Sequence, residues 1–199
     1  VGLQEAYKII QSDMGGTPYY SEDYPAMLLS ALSEQGVSYY AAGTRASAPI
    51  TVPADSNDDC NHEDPSLGAA DYLVTVMDRD VILCRSDIAC DDPKVFNFTI
   101  NAKAWTPAGP VTVERGWVSV VASAGGREYR LVNTHLEVDV NPSFRAVQYA
   151  QAMELALGLD LLAEDGLWQI VLGDFNSDDS PVPPGCDHFD PCLSGYQVM

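Results

Sequence analysis

The hydrophobic and polar positions of this chain alternate between two spacings, which predict strands and helices in turn. Val1-Gly2-Leu3 has the composition of the end of a buried strand. Residues 24–35 repeat apolar side chains at helical spacing, with Pro25 near the start and Gly36 as the stop signal. Period-two alternation then predicts strand structure at 74–83, around a polar turn at Asp78-Arg79-Asp80, and again at 95–100.

The second half of the chain carries the clearer pattern. Strands are predicted at 118–122 and 128–134, and Gly125-Gly126 between them indicates a hairpin, because both glycines accept positive φ. A long helix is predicted from about Ser143, as its N-cap, to Leu162. Residues 168–172 follow as a buried strand, after which Gly173 turns the chain. Alternating strands and helices of this kind predict an α/β (α+β) fold.

Composition predicts one soluble domain over residues 1–199, since 199 residues with 46% apolar content can bury a sizeable core. The formal net charge of −19 repels a phosphate backbone at long range, which weakens the case for a nucleic-acid binder. The net charge does not exclude a phosphate-containing substrate, because bound cations can make the local electrostatic potential at a site positive. No apolar run reaches the length of about 18 residues that a membrane span needs.

The five cysteines form no Cys-x-x-Cys pair, so a structural zinc site is not expected. Cys186 and Cys192 flank a loop rich in Pro and Asp, where a short disulfide is predicted, and Cys60 and Cys90 also stand among polar loop residues. This usage predicts a secreted or extracytoplasmic protein. Free thiols in a cytosolic protein are the alternative.

Three apolar strands end in polar residues whose side chains can bind a divalent metal or exchange a proton. Glu5 follows the first strand, His135 ends Leu-Val-Asn-Thr-His, and Asp174 and Asn176 stand in Leu-Gly-Asp-Phe-Asn-Ser. Hydrolysis of a phosphate ester needs a Lewis acid, a positioned water and a proton for the leaving oxygen. A lone carboxylate such as Glu5 suits Mg²⁺ or Mn²⁺, because hard cations prefer oxygen ligands and Mg²⁺ keeps several waters. The competing interpretations are that Glu5 is a solvated carboxylate, that His135 is a core histidine, and that Asp174 and Asn176 only form an Asx-turn.

These segments, in this order, resemble the endonuclease/exonuclease/phosphatase superfamily of metal-dependent phosphoesterases. The resemblance implies a DNase I-like fold, in which two mostly antiparallel sheets pack together and helices cover the outside. It also implies that Glu5 binds the metal, that Asp174 orients or deprotonates the attacking water, and that Asn176 holds the phosphate or that water. His135 would bond a phosphate oxygen and assist proton transfer. Two family segments are missing: the strand before Gln4-Glu5 and a terminal Ser-Asp-His, so the domain is expected to be a fragment, incomplete at both ends and of feeble activity.

Three further residues are weaker candidates for phosphate contacts. Arg85 and Arg115 could clamp a phosphate, although surface or structural pairing is the favoured role for both, and Asn133 shares the strand face of His135. The expected substrate is a phosphomonoester or phosphodiester, with a small molecule or lipid headgroup favoured over nucleic acid, and a secreted nuclease as the alternative. No obligate protein partner is indicated. The other hypothesis is a non-catalytic binding module with the same fold and a decayed site.

Overall fold

A computed structural model describes residues 1–54, 70–106 and 109–177 of the chain. The strands are β1 (Gly2–Leu3), β2 (Lys8–Asp13), β3 (Pro18–Asp23), β4 (Tyr39–Ala46), β5 (Ile50–Ala54), β6 (Tyr72–Met77), β7 (Arg79–Arg85), β8 (Ala89–Asn97), β9 (Ala102–Thr106), β10 (Gly109–Val113), β11 (Gly116–Ala124), β12 (Arg127–His135) and β13 (Trp168–Asp174). The helices are α1 (Tyr24–Glu34) and α2 (Pro142–Leu162), the second followed by a short 3₁₀ turn at Ala163–Asp165.

Two sheets form the body of the described structure and pack face to face. Sheet I has the order β1-β7-β4 and is antiparallel, whereas sheet II has the order β13-β12-β11-β8 and contains one parallel pair, β12 with β13. β4 and β7 of sheet I contact β8, β11 and β12 of sheet II. A dry cluster that includes Ile82 from sheet I and Val118 and Val120 from sheet II fills the space between them. The predicted β-sandwich is therefore confirmed.

The helices cover the outer faces of this sandwich, as predicted. α2 packs Ala152 and Leu155 onto Trp117 and Val132 of sheet II. α1 packs against sheet I through Leu29, which contacts the cluster around Val81 and Leu83. A third sheet, β3-β2-β6-β5, and the β9–β10 hairpin complete the described elements. The sequence pattern did not predict this third sheet. No helix among the described residues is long and apolar enough to cross a membrane.

The hairpin at Gly125-Gly126 is confirmed, with φ of 58° and 75° at the two glycines, and it joins β11 to β12 in continuous register. The long helix begins two residues earlier than predicted. Asn141, not Ser143, is the N-cap, because its side-chain oxygen accepts from the backbone N–H groups of Ser143 (3.0 Å) and Phe144 (3.1 Å). Pro142 then takes the first helical position, where no N–H is needed.

Two other sequence interpretations were wrong. The segment Asp78-Arg79-Asp80 is not a turn inside one strand: only Asp78 lies between strands, and β6 and β7 on either side of it belong to different sheets. Cys90 does not lie in a polar loop but on β8, buried, where it forms a disulfide with Cys84 of β7. Cys60, Cys186 and Cys192 lie outside the described residues, so the predicted Cys186–Cys192 bridge stays a prediction.

Candidate active site at one edge of the sandwich

His135 and Asp174 end neighbouring parallel strands, so both side chains emerge at the same edge of sheet II. The register of β12 and β13 places His135 directly opposite Asp174, and Leu136 N–H donates to the Asp174 carbonyl at 3.0 Å. Gly173 permits this close pairing, because a Cβ at that position would lie 2.3 Å from the Thr134 carbonyl oxygen. Gly173 is thus required by the packing of β13 against β12.

Asp174 and Asn176 form a tight local turn that directs both side chains toward His135. Asp174 Oδ1 accepts from Asn176 N–H at 2.8 Å, and Asn176 itself has a left-handed φ of 48°. Asn176 Nδ2 donates to the Leu136 carbonyl at 2.9 Å and lies 3.0 Å from His135 Nε2. Asp174 Oδ2 lies 3.9 Å from the same nitrogen, and the Asp174 side chain is exposed. The Asx-turn interpretation is therefore correct for Asp174 Oδ1, and it leaves Oδ2 facing the imidazole.

Glu5 lies in the bend that follows β1 of sheet I. Burial raises the pKa of both Tyr7 and Asp78, and the Glu5 carboxylate contributes to both increases. Asp78 pairs with Arg115, which in turn contacts His135. This series of neighbours brings Glu5 to the same edge. Its side chain is exposed and its φ is 51°, a left-handed conformation that few non-glycine residues adopt. Strain of this kind is typical of functional sites.

The backbone after Glu5 is held by Arg79 from β7. Arg79 Nε donates to the Ala6 carbonyl at 2.9 Å, and its Nη2 donates both to the Tyr7 carbonyl at 3.2 Å and to Asp23 at 2.7 Å. The Tyr7 side chain lies close to Glu5 and Asp78, and burial, together with these two carboxylates, raises the pKa of Tyr7 to about 12. These contacts fix the position of Glu5 relative to sheet I.

A buried group of charged side chains lies beneath the site, between the two sheets. Arg115 Nη1 donates to Asp78 Oδ2 at 3.0 Å and contacts His135 Nδ1 at 2.5 Å. Arg45 Nη1 donates to Asp80 Oδ2 at 3.1 Å, and both of these side chains are at most 1% exposed. Burial raises the pKa of Asp78, and it raises the pKa of Asp80 to about 7 against the opposing effect of Arg45.

The three weaker sequence candidates make structural or surface contacts instead of facing a position where a phosphate could bind. Arg79 is the first residue of β7 and Arg85 is the last, so the two lie about 20 Å apart at the rise of a strand. The exposed guanidinium of Arg85 pairs with Asp87. Arg115 is buried and pairs with Asp78, and Asn133 is fully buried and ties β12 to β1. For both arginines the alternative of structural or surface pairing was therefore the better prediction.

Sequence reasoning missed the buried partners of the site. The candidates did not include Arg45, Asp78 and Asp80. The sequence around a charged residue does not show which residue of a distant segment will pair with it. Gln148 of α2 bonds segments on both sides of the helix: its Nε2 donates to the Glu137 carbonyl at 2.9 Å and to the Asn176 carbonyl at 2.6 Å. This helix therefore helps to hold the loop that carries Asn176.

The donor set around Glu5 fits a hydrated hard cation and not a fully caged one. No group of three or more His, Cys, Asp or Glu side chains arranged to hold a metal occurs among the described residues. Mg²⁺ is commonly bound by one or two carboxylates and keeps several waters, which a single exposed Glu5 carboxylate can satisfy. A tight structural metal site is not supported within the part of the chain that the structure describes.

No family model matches the chain, and no curated protein matches it significantly. Solved structures with a similar arrangement include the human Nocturnin catalytic domain with bound sulfate, at 16% identity and a TM-score of 0.40, covering 78% of this chain and 48% of that one. Truncated TDP2 of Caenorhabditis elegans is similar at 18% identity and a TM-score of 0.37, covering 69% and 45%.

A third similar structure is an endonuclease/exonuclease/phosphatase family protein from Bacteroides thetaiotaomicron, at 13% identity and a TM-score of 0.36, covering 76% of this chain and 53% of that one. The chain spans about half the length of these three structures.

Proposed function

We propose that the site hydrolyses a phosphomonoester or phosphodiester by direct attack of water, with a divalent cation, Mg²⁺ or Mn²⁺, held at Glu5. The observation that carries this proposal is the convergence of His135, Asp174 and Asn176 at the edge of the sandwich where Glu5 lies. The bound cation would supply a Lewis acid for the phosphoryl oxygens. No nucleophilic side chain is needed, because water is the attacking group.

Each side chain has a role that its contacts support. Asp174 is the group that orients or deprotonates water, since its exposed carboxylate keeps Oδ2 on the side of the site while Oδ1 accepts from Asn176 N–H. Asn176 and His135 present nitrogen atoms to the same point and would bind phosphate oxygens there.

A small phosphoester or a lipid headgroup is the proposed substrate class. The net charge of −19 opposes long-range attraction of a polyanion, and the described site has no stripe of exposed lysines and arginines along which a nucleic acid could bind. We also propose that the protein works in an oxidising, extracytoplasmic compartment. The Cys84–Cys90 disulfide is compatible with this assignment.

Hydrolysis of bis-nitrophenyl phosphate by the full-length protein, of which residues 1–199 are expected to be a fragment of feeble activity, tests the proposed function. The expected result is turnover that requires added Mg²⁺ or Mn²⁺ and is lost in excess EDTA. Turnover that persists in EDTA would contradict the proposed requirement for a divalent cation. Absence of turnover with every divalent cation, in protein whose circular dichroism shows it to be folded, would favour the non-catalytic binding module instead.

A further inference from the structure

His135 contacts a guanidinium through one ring nitrogen. Arg115 Nη1 lies 2.5 Å from His135 Nδ1, and the same Nη1 donates to Asp78 Oδ2 at 3.0 Å. The side chains of Arg115 and His135 are 9% and 2% exposed, so water does not compete for this contact. The Arg115 backbone is fixed as well, since its N–H donates to Asn101 Oδ1 at 2.9 Å and its carbonyl accepts from Phe98 at the same distance.

The chemistry of arginine determines the state of this imidazole. A guanidinium has five N–H donors and no acceptor, and it stays protonated in proteins. His135 Nδ1 must therefore be the acceptor in its contact with Arg115, which places the single proton of the neutral ring on Nε2. An imidazolium would carry protons on both nitrogens and would set an N–H against the arginine. The ring is consequently held neutral in one tautomer.

The surrounding charges support the same conclusion. Burial, followed by the positive charge of Arg115, lowers the pKa of His135 to about 4. Asp174 on β13 acts in the opposite direction, and Arg45 on β4 adds a smaller lowering. Asp78, between β6 and β7, reaches His135 only through Arg115.

The Nε2–H of this tautomer faces a second donor. Asn176 Nδ2 already donates to the Leu136 carbonyl at 2.9 Å and lies 3.0 Å from His135 Nε2. Two N–H groups cannot bond to each other, so in this tautomer the Asn176 amide does not satisfy the Nε2–H of His135. An oxygen of an anionic group at this point would accept from both donors.

We propose that Arg115 and Asp78 are positioning residues that hold His135 as the neutral Nε2–H tautomer, so that His135 donates a hydrogen bond to a phosphate oxygen and transfers no proton. This inference rests on the proposed function for the identity of the acceptor. The leaving oxygen then takes its proton from water, and the imidazole is unchanged through the reaction. Asp78 acts by fixing Arg115, which in turn fixes the ring.

Nitrogen-15 NMR of the histidine rings tests the tautomer without any assay of activity. The chain has three histidines, and the spectrum of a His135→Gln variant identifies the signals of His135 by their loss. In the wild-type protein we expect Nε2 to carry the proton from pH 8 down to pH 5, with titration only near pH 4. Titration near the ordinary value of 6.5, or a proton on Nδ1, would overturn the proposal.

The variant Arg115→Met, studied beside Arg130→Met, tests the role of the guanidinium. Arg130 is a matched control, because it is also buried and paired with Asp92 and Asp165 but lies five residues from His135 along β12. Arg115→Met should raise the His135 pKa from about 4 toward 6.5 and bring Nδ1–H signals into the spectrum, whereas Arg130→Met should change neither. Asp78→Asn should loosen Arg115 while leaving its charge in place, so it should bring weaker Nδ1–H signals into the spectrum.

An unchanged His135 spectrum in folded Arg115→Met would contradict the proposal. If this variant does not fold, the wild-type titration alone still decides the tautomer. The two proposals also fail separately. A protein with no hydrolase activity but a locked Nε2–H tautomer would refute the proposed function, and an active enzyme whose His135 titrates near 6.5 would refute only this inference.

Discussion

Replacement of Asp174 by asparagine is expected to lower metal-dependent hydrolysis by a factor of roughly 10³, since loss of a positioned base costs about 10²–10⁴ in rate. The substitution is nearly isosteric, and the amide oxygen can still accept from Asn176 N–H, so the turn at 174–176 should persist. What is lost is the carboxylate charge at Oδ2, which orients or deprotonates the water. The effect should therefore appear in kcat and leave the melting temperature almost unchanged.

Steady-state kinetics at saturating metal measure this change, with Asp91→Asn as the control. Asp91 is an exposed aspartate on β8 of the same sheet, so its substitution removes one negative charge without touching the site. The control should keep the wild-type kcat. An Asp174→Asn variant that keeps more than about a tenth of the wild-type kcat would contradict the assigned role.

Truncation of Arg45 to methionine is expected to destabilise the fold by about 3–5 kcal/mol, the usual cost of breaking one side of a buried ion pair. Arg45 and Asp80 are at most 1% exposed and bond each other at 3.1 Å, so removal of the guanidinium leaves a carboxylate buried between the sheets. Arg45 Nε also donates to Asn97 Oδ1 at 3.0 Å, which links sheet I to the end of β8. Urea unfolding, followed by circular dichroism, measures the change in the free energy of unfolding.

The destabilisation by Arg45→Met should depend on pH with a defined sign. The pKa of Asp80 is already raised to about 7, and loss of Arg45 raises it further, so folded Asp80 binds a proton that the unfolded chain has released. A folded-state pKa above the unfolded value means that stability falls as pH rises toward that folded-state pKa. The cost should thus be smaller at pH 5 than at pH 8.

The double variant Arg45→Met/Asp80→Leu provides the control for this pair. It removes both charges, so it should recover a large part of the stability that the single variant loses. A single variant that costs less than about 1 kcal/mol at pH 8, or a double variant that is no more stable than the single one, would show that the buried pair is not what holds this region together.

Local patterns in the sequence were enough to predict the hairpin, the long helix and the strand ends of the site. Gly125-Gly126 specifies its turn through backbone freedom alone, and the apolar run before Gly173-Asp174 specifies a strand. The prediction that this strand is buried was wrong, because β13 lies at the edge of sheet II with Trp168 and Ile170 exposed. His135 and Asp174 come together because their strands are parallel neighbours. The order of motifs along the chain suggested this pairing, and the register establishes it.

Contacts between distant segments could not be predicted in this way. Asp78 resembles part of a polar turn, yet it marks the point where the chain passes from the third sheet to sheet I. Cys90 stands between Asp and Ala residues in the sequence, but its position on β8 brings it to Cys84. Arg45 resembles a surface cation until its partner Asp80 is known, because burial of a charge depends on the opposing strand.

Binding of Mn²⁺ to the wild-type protein and to Glu5→Gln, measured by isothermal titration calorimetry, tests most directly whether a metal site lies at this edge of the sandwich. Glu128→Gln, at an exposed residue of the β11–β12 hairpin, controls for attraction of cations by the net charge of −19. Glu5→Gln should weaken the tightest binding by at least about tenfold, whereas Glu128→Gln should not. Equal affinities for wild type and Glu5→Gln would contradict the assignment of the metal to Glu5.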